Sequence, residues 1–243
     1  MYIGILNFNG TINHGSLSSY MPVLEYIEKK KKVKALLLVI NSGGGDANST
    51  EILYNQLIKI SNQKPVYALI ESVGASGAYW LACSAEKIFA MNTSLVGSIG
   101  VISMSPDLSE FLDNFGIKMR INKVGKYKDI NSPFRPMTEE ENKIYSNIMN
   151  DIYSSFRDEV KKRRNFNEEE LESIANGLVF SSKQAKATGL IDGIGTMDTV
   201  MTLLKSKTGI ESIKNLTPKR PFISRIVSMS MEAINSFMES FFG

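Results

Sequence analysis

Short apolar runs alternate with amphipathic stretches through the first half of the chain, and this rhythm constrains the fold more than any other feature. The runs are rich in valine, isoleucine and leucine: YIGILNF (2–8), ALLLVIN (35–41), VYALIE (66–71), KIFA (87–90) and VGSIGVIS (96–103). Amphipathic stretches follow near 17–31, 47–61, 77–84 and 106–115. Such a pattern is typical of a largely parallel sheet covered on both faces. The sequence therefore predicts an α/β fold, with its ligand site beyond the carboxyl ends of the strands.

The second half of the chain has mainly helical patterns. Thr138 is placed to begin a long helix that starts with three glutamates and ends in basic residues at 161–164, as the helix dipole favours. A shorter helix is expected from Asn167, followed by two more helical segments. Since no repeat or low-complexity linker is present, we expect one domain over 1–208 and a C-terminal extension over 209–243.

Composition excludes several classes of protein. The net charge of +3 in 243 residues is too small for a dedicated nucleic-acid binder, so no nucleic-acid partner is expected. The single cysteine, Cys83, cannot form an intramolecular disulfide and is expected to be a small buried apolar residue. The opening MYIGILNFNG has neither the basic start nor the apolar run of a signal peptide. We therefore expect no N-terminal transmembrane segment in this chain, and a cytoplasmic or membrane-associated location.

An amphipathic helix is predicted for residues 222–242, FISRIVSMSMEAINSFMESFF. Such an apolar stripe usually packs against the protein itself or a neighbouring subunit. Binding to a membrane surface is the alternative, although the polar face carries two glutamates against one arginine, which suits anionic lipid poorly.

The glycine-rich stretch NSGGGD (41–46) follows a predicted buried strand directly. Three consecutive glycines allow positive φ and close backbone approach, so their amides can converge on an anion or a polarised carbonyl. A phosphate loop is disfavoured because neither nucleotide-binding spacing is present. A tight turn capped by Asp46 or Asn48 remains the alternative.

Ser76 lies between small residues in ESVGASGAYW (71–80), where a strand gives way to a helix. Its hydroxyl is placed to approach a substrate backbone, with the Gly77 amide as one oxyanion donor and the glycine loop as a source of another. A helix cap is the alternative role for this serine. As a nucleophile it needs a base, and the only histidine, His14, lies in a polar loop.

A lysine is the remaining amine base, and it accepts a proton only when neutral. Its pKa must then fall from about 10.4 to roughly 7–8, through burial and without a close carboxylate. Three candidates, Lys123, Lys126 and Lys128, lie in the proline-containing loop before the long helix. Each is otherwise a solvated surface charge, and Asp129 counts against Lys128. The residues alone leave this choice open.

Three motifs resemble the signal peptide peptidase A family, serine peptidases of the crotonase/Clp-protease superfamily. They are NSGGG (41–45), GASGAYWLACSAEKIFAMNTSLVGSIGVI (74–102) and VGKYKDINSPFRPMTEEE (124–141), in the family's order and spacing. The resemblance covers most of residues 2–205. It implies a crotonase/Clp-like fold of repeated β-β-α and β-α-β units with a helical C-terminal part.

The resemblance also implies a role for each matching residue. Ser76 matches the nucleophile, Lys128 the general base, and Ser98 a second serine that orients the lysine amine. Gly44 and the amide of Gly77 fall at the oxyanion-hole positions. No metal or organic cofactor is implied. The family usually has proline where this chain has Gly43, which leaves open which amide of the loop points inward.

The family further implies a ring-shaped homo-oligomer, an octamer being one size considered, in which serine and lysine come from neighbouring subunits. The implied substrates are leftover signal peptides or other small membrane-derived peptides. Three alternatives stay open: a crotonase-like acyl-CoA enzyme, a capsid-maturation or Clp-type peptidase, and a non-catalytic scaffold.

Overall fold

A computed structural model describes residues 1–219, so the helix predicted for 222–242 lies outside the described residues. Within this range one sheet contains eight strands. The strands are β1 (Tyr2–Asn9), β2 (Val33–Ser42), β3 (Val66–Ala75), β4 (Lys87–Ala90), β5 (Leu95–Gly97), β6 (Val179–Ser181), β7 (Gly193–Ile194) and β8 (Ile213–Asn215).

The central strands run in the order β6-β5-β3-β2-β1-β8, and β4 pairs with both β3 and β7. All of these pairs are parallel except β5 with β6. Parallel neighbours need crossover connections, which the helices between the strands supply. The predicted α/β fold with a largely parallel sheet is therefore confirmed.

Eight helices lie between or after these strands in the described part of the chain. They are α1 (His14–Lys29), α2 (Ala47–Ser61), α3 (Gly77–Ala82), α4 (Ser109–Asn114), α5 (Glu139–Arg164), α6 (Glu168–Ile174), α7 (Ser182–Ala187) and α8 (Met197–Thr208). Thr138 caps α5 through a capping box with Glu141, and Asn167 caps α6 in the same way, as the sequence predicted. Asp46, not Asn48, caps α2.

The core has two layers because both faces of the sheet are covered. On β2, Leu36, Leu38 and Ile40 belong to the cluster that includes α1, α2 and α3, whereas Leu37 and Val39 pack with α8 on the other face. Side chains alternate between faces along a strand, so an unbroken apolar run fills both layers. Each fully buried leucine contributes about 1.5–3 kcal/mol relative to an exposed one.

One predicted strand is much shorter than the sequence indicated. The apolar run 96–103 predicted a strand of that length, but β5 ends at Gly97. Ser98 adopts a positive φ of 51°, which takes the chain out of the sheet.

Beyond residue 208, β8 pairs with β1, so the sheet continues into the stretch assigned to the C-terminal extension.

Residues 101–138 form an extension from this body, and none of them is buried in the chain. Several of its apolar side chains are largely exposed, among them Met104 at 85%, Phe115 at 68% and Val124 at 98%. α4 lies within the extension and buries no residue. Apolar exposure on this scale is unusual for a surface that faces only water.

None of the helices in residues 1–219 is both long enough and apolar enough to cross a bilayer.

Candidate active site

Ser76 occupies the tight junction between β3 and α3. Its backbone has φ 52° and ψ −129°, a conformation that is strained for a residue with a side chain. Its amide donates to the Gly97 carbonyl oxygen at 2.7 Å, which ties the junction to β5. The side chain makes no capping hydrogen bond, so the helix-cap alternative is not realised. Strain of this kind is typical of functional turns that expose a hydroxyl.

The glycine loop packs directly against this junction. Gly44 has φ +94°, and a Cβ added there would lie 2.7 Å from the Gly77 nitrogen and 2.9 Å from Ser76 Cβ. Only glycine therefore allows this approach of the two backbones. Gly77 is equally confined, because a Cβ there would lie 2.5 Å from Thr50 Oγ1. The structure thus brings Gly44, Ser76 and Gly77 together.

The amides of the glycine loop differ in their surroundings. The Gly44 amide donates to Ser42 Oγ at 3.1 Å, within the loop itself. Gly45 lines the cleft beside Ser76 and has φ +153°, with space for no side chain because Ile12 lies against it. The Asp46 carboxylate accepts from the Ser49 amide at 2.7 Å, which fixes the start of α2. Hydrogen bonding by the Ser49 hydroxyl, and after it by the Ser49 amide, lowers the pKa of Asp46.

Ser98 lies beside Ser76 across two neighbouring strands. Ala75 pairs with Gly97 in register, so the residues that follow each strand come out at the same edge of the sheet. Ser98 is half-buried, and its amide donates to the Leu178 carbonyl oxygen at 2.7 Å. Both serines have positive φ, which places two strained, serine-bearing turns side by side.

A cleft of about 310 Å³ opens beside Ser76. One wall is apolar and is formed by Trp80, Met149, Ile152 and Phe156. Trp80 lies one helical turn after Ser76, and its ring stacks on Phe156 with centroids 4.9 Å apart. The remaining lining residues come from the glycine loop, the starts of α2 and α3, the chain after β5 and α5: Gly45, Asp46, Ala47, Thr50, Gly77, Gly100, Val101, Ile102, Ser103 and Tyr145. The cleft is suited to an apolar side chain next to the serine.

The sequence did not identify the wall that α5 supplies. Met149, Ile152 and Phe156 lie on a helix whose charges dominate its sequence pattern. They follow the serine by more than 70 positions, and no local motif connects the two. The serine motif does contain a signal for Trp80. Trp80 follows Ser76 by four positions, a spacing that places a large side chain on the same side of a helix as the serine.

Lys128 lies on the exposed extension and not in the lining of the cleft. The two other candidate lysines are engaged: Lys123 forms an ion pair with Asp129, and Lys126 pairs with Glu140 at 2.6 Å. Within residues 1–219, Lys128 forms neither an ion pair nor a side-chain hydrogen bond. Of the three lysines it is the one whose amine has no anionic partner in the described chain, and Asp129 is directed to other cations.

The remaining candidates have simpler environments. His14 is the exposed first residue of α1. Cys83 is buried, and burial raises the pKa of its thiol to about 12, so it is an unreactive core residue as expected.

Residues 59–211 match the sequence profile of peptidase family S49. A putative protease of Methanocaldococcus jannaschii is 36% identical over 79% of this chain and 62% of that protein. A putative signal peptide peptidase SppA of Enterococcus faecium is 32% identical over 78% of this chain and 55% of its own. The chloroplastic serine protease SPPA of Arabidopsis thaliana is 31% identical over 79% of this chain and 28% of its own. The chain thus spans less than two thirds of the length of these relatives.

Proposed function

Because this chain belongs to peptidase family S49, we propose that it hydrolyses peptide bonds with Ser76 as nucleophile and Lys128 as general base. The observation that carries the proposal is the strained Ser76 turn, packed against a glycine loop and open to an apolar cleft. A hydroxyl held this way is accessible to a substrate carbonyl, and backbone amides lie beside it.

The reaction follows from these groups. The neutral Lys128 amine takes the Ser76 proton as the serine oxygen bonds to the peptide carbonyl carbon. The resulting ammonium gives that proton to the leaving amine as the carbon–nitrogen bond breaks, which leaves an ester on Ser76. Water, deprotonated by the same amine, then attacks the ester and releases the acid product with Ser76 restored. In this scheme Ser98 accepts a hydrogen bond from the lysine amine or donates one to it, and so orients it.

The carbonyl oxygen becomes negatively charged in both steps and needs amide donors. We assign the Gly77 amide and an amide of the glycine loop to this role. Gly44 is the position that the family resemblance implies. Its amide is held by Ser42 Oγ in the resting chain, and Gly45 lines the cleft, so either glycine is a donor candidate once substrate binds.

The proposed substrates are peptides with small or apolar residues, such as leftover signal peptides. The apolar wall of Trp80 and Phe156 supports this choice, since a 310 Å³ cleft accommodates one large apolar side chain. An extended peptide would lie in the cleft along the glycine loop and residues 100–103, since Gly45 and residues 100–103 all line it. The relative named signal peptide peptidase SppA favours the same substrate class.

Lys128 is proposed to reach Ser76 from a neighbouring subunit of a ring-shaped homo-oligomer. The extension that carries Lys128 leaves the body of the chain and exposes apolar side chains, which a second copy would bury. A shared dyad also explains why Lys128 does not line the cleft of its own chain. Membrane contact through residues 222–242 remains a separate proposal, tested by liposome flotation of the full chain against a chain that ends at residue 219.

The dyad is tested by Ser76→Ala and Lys128→Ala, with Lys118→Ala as a matched control in the same extension. The first two changes should abolish peptidase activity and leave fold and assembly intact, whereas the control should keep activity. Near-normal activity of the Lys128→Ala enzyme at neutral pH would overturn the dyad. If the dyad crosses subunits, mixed subunits of the two inactive variants should recover part of the activity.

The same variants discriminate the alternatives. Acyl-CoA turnover that survives both changes would favour a crotonase-like enzyme. Assembly without any hydrolysis, and without fluorophosphonate labelling of Ser76, would favour a scaffold. Cleavage of folded-protein substrates in preference to short apolar peptides would favour a Clp-type or capsid-maturation peptidase.

A further inference from the structure

The turn that carries the proposed base also carries a carboxylate. Residues 125–132 form successive tight turns, in which the Lys128 amide donates to the Gly125 carbonyl oxygen at 3.3 Å and the Ser132 amide to the Asp129 carbonyl oxygen at 3.0 Å. Asp129 directly follows Lys128. A carboxylate this near in the chain is able to pair with the lysine and keep it charged.

Both carboxylate oxygens of Asp129 are occupied by other cations. Oδ1 accepts from Lys123, and Oδ2 accepts from Arg135 Nε at 2.8 Å. The Asp129 side chain is only 12% exposed. Arg135, and after it Lys123, holds the pKa of the Asp129 carboxyl well below its usual range, so Asp129 is ionised at neutral pH. The Asp129 carboxylate makes these two contacts and forms no ion pair with Lys128.

Arg135 bridges this turn to the start of the long helix. Its two terminal nitrogens donate to the Glu141 carboxylate at 2.6 and 2.8 Å. Glu141 is 6% exposed and also accepts from the Thr138 amide in the capping box. A planar guanidinium makes such forked contacts to two carboxylates, and a lysine cannot reproduce them.

Two further carboxylates on the neighbouring elements have donors of their own. Lys126 and Tyr127 both donate to Glu140 of α5, at 2.6 and 2.5 Å. Asp107, on the segment that precedes α4, accepts from the Ser109 amide at 3.0 Å. Asp113 of α4 lines a pocket with Lys123, Asp129 and Arg135 and has no side-chain partner within residues 1–219. Lys128 takes part in none of these contacts.

We propose that Arg135 is a positioning residue for catalysis: it holds the Asp129 carboxylate away from Lys128, so that the Lys128 amine stays unpaired and free to act as the base. This inference rests on the proposed role of Lys128. An opposite charge within about 4–6 Å shifts an ionisable group by about 1–3 pH units toward its charged form. Loss of Arg135 would let the Asp129 carboxylate swing back toward Lys128 and favour its ammonium.

The test is the pH dependence of kcat/KM in the full chain, with an internally quenched peptide of alanine and leucine residues as substrate. Arg135→Gln should move the acid limb to higher pH by about one unit, so that activity at neutral pH falls about tenfold and recovers in alkali. Arg135→Gln combined with Asp129→Asn should return the limb to its original pH. Arg157→Gln removes another arginine of an ion pair, between Arg157 of α5 and Glu168 of α6, and should leave the limb unchanged.

Several outcomes would overturn the inference. An Arg135→Gln enzyme whose kcat/KM falls equally at all pH values has lost only structure. A limb that stays shifted in the double variant also contradicts the role of Asp129. If Arg135→Gln does not fold, Lys123→Gln frees one oxygen of the same carboxylate and should move the limb in the same direction by a smaller amount. Absence of any shift there would equally refute the inference.

The Lys128→Ala enzyme separates this inference from the proposed function. If Lys128→Ala keeps activity, the dyad and the positioning role fall together. If Lys128→Ala is inactive and Arg135→Gln retains the original pH profile, only the positioning role is wrong.

Discussion

Replacement of Gly44 by alanine tests the packing on which the proposed oxyanion site depends. A Cβ at this position would lie 2.7 Å from the Gly77 nitrogen, 2.9 Å from the Ala75 oxygen and 2.9 Å from Ser76 Cβ. Two of these three atoms belong to the backbone, which cannot rotate away as a flexible side chain can. The loop or the serine turn must therefore shift.

The magnitude follows from two separate terms. A positive φ of 94° costs alanine about 1–2 kcal/mol relative to glycine, and the overpacking adds about 1–3 kcal/mol. We expect the free energy of unfolding to fall by about 2–5 kcal/mol. Displacement of one oxyanion donor lowers kcat by about 10²–10³ in other hydrolases. A similar loss is expected here, even in conditions where the variant is fully folded.

Gly43→Ala is the matched control, because no atom lies within 4 Å of a Cβ at that position and its φ is outside the left-handed region. It should change the free energy of unfolding by no more than about 0.5 kcal/mol. Denaturant unfolding and kcat on the quenched peptide are measured for both variants. Equal stability and equal activity of the two alanine variants would refute the close packing of Gly44 on the serine turn.

Two further predictions concern stability. Phe156→Ala should lower the free energy of unfolding by about 3–5 kcal/mol, because it removes a ring that is 2% exposed and stacked on Trp80. Phe111 is 59% exposed in the extension, so Phe111→Ala should leave the free energy of unfolding of the isolated subunit nearly unchanged. An equal loss of stability in both variants would contradict the assigned core. The Arg135 guanidinium, and after it the Thr138 amide, lowers the pKa of Glu141 to about 2. A depressed carboxyl pKa contributes stability that is present above the unfolded value of about 4.5 and is lost as pH falls toward 2. Glu141→Gln should therefore lose less stability than the unsubstituted chain between pH 4.5 and 2, as followed by circular dichroism, whereas the exposed Glu139→Gln should lose as much as the unsubstituted chain.

Much of the fold was predictable because it depends on local patterns. The unbroken apolar run of β2 requires burial on both faces, and this alone implies helices above and below a parallel sheet. The helix starts at Thr138 and Asp46 could be predicted from the sequence, since capping involves residues only three positions apart. The end of β5 could not be predicted in this way. Its apolar run continues to residue 103, and the break at Ser98 depends on a backbone conformation that is stabilised by hydrogen bonds and strand pairing with residues 177–180.

The residues of the candidate site also differ in whether a local sequence pattern identifies them. Ser76 and the glycine loop carry local signatures, namely small residues around a serine and three glycines after a strand. Lys128 was selected by family resemblance, and the residues alone favoured no lysine. Asp129, which counted against Lys128 in the sequence, contacts Lys123 and Arg135 instead. Such a preference among partners is decided by where Arg135 lies in three dimensions, which sequence spacing does not specify.

The sequence by itself determined β1 to β4, most helix starts and the small residues that leave Ser76 accessible, because each depends on interactions within a few positions of the chain. It did not indicate β6, β7 and β8 or the end of β5. Only the tertiary structure decided which backbones meet at the serine and that α5 supplies the apolar wall of the cleft. It also decided that, of the three candidate lysines, only Lys128 lacks an anionic partner within residues 1–219. The first two features join segments more than 30 positions apart. The meeting of the backbones at the serine is set by the parallel register of β2, β3 and β5, and no local pattern encodes that register.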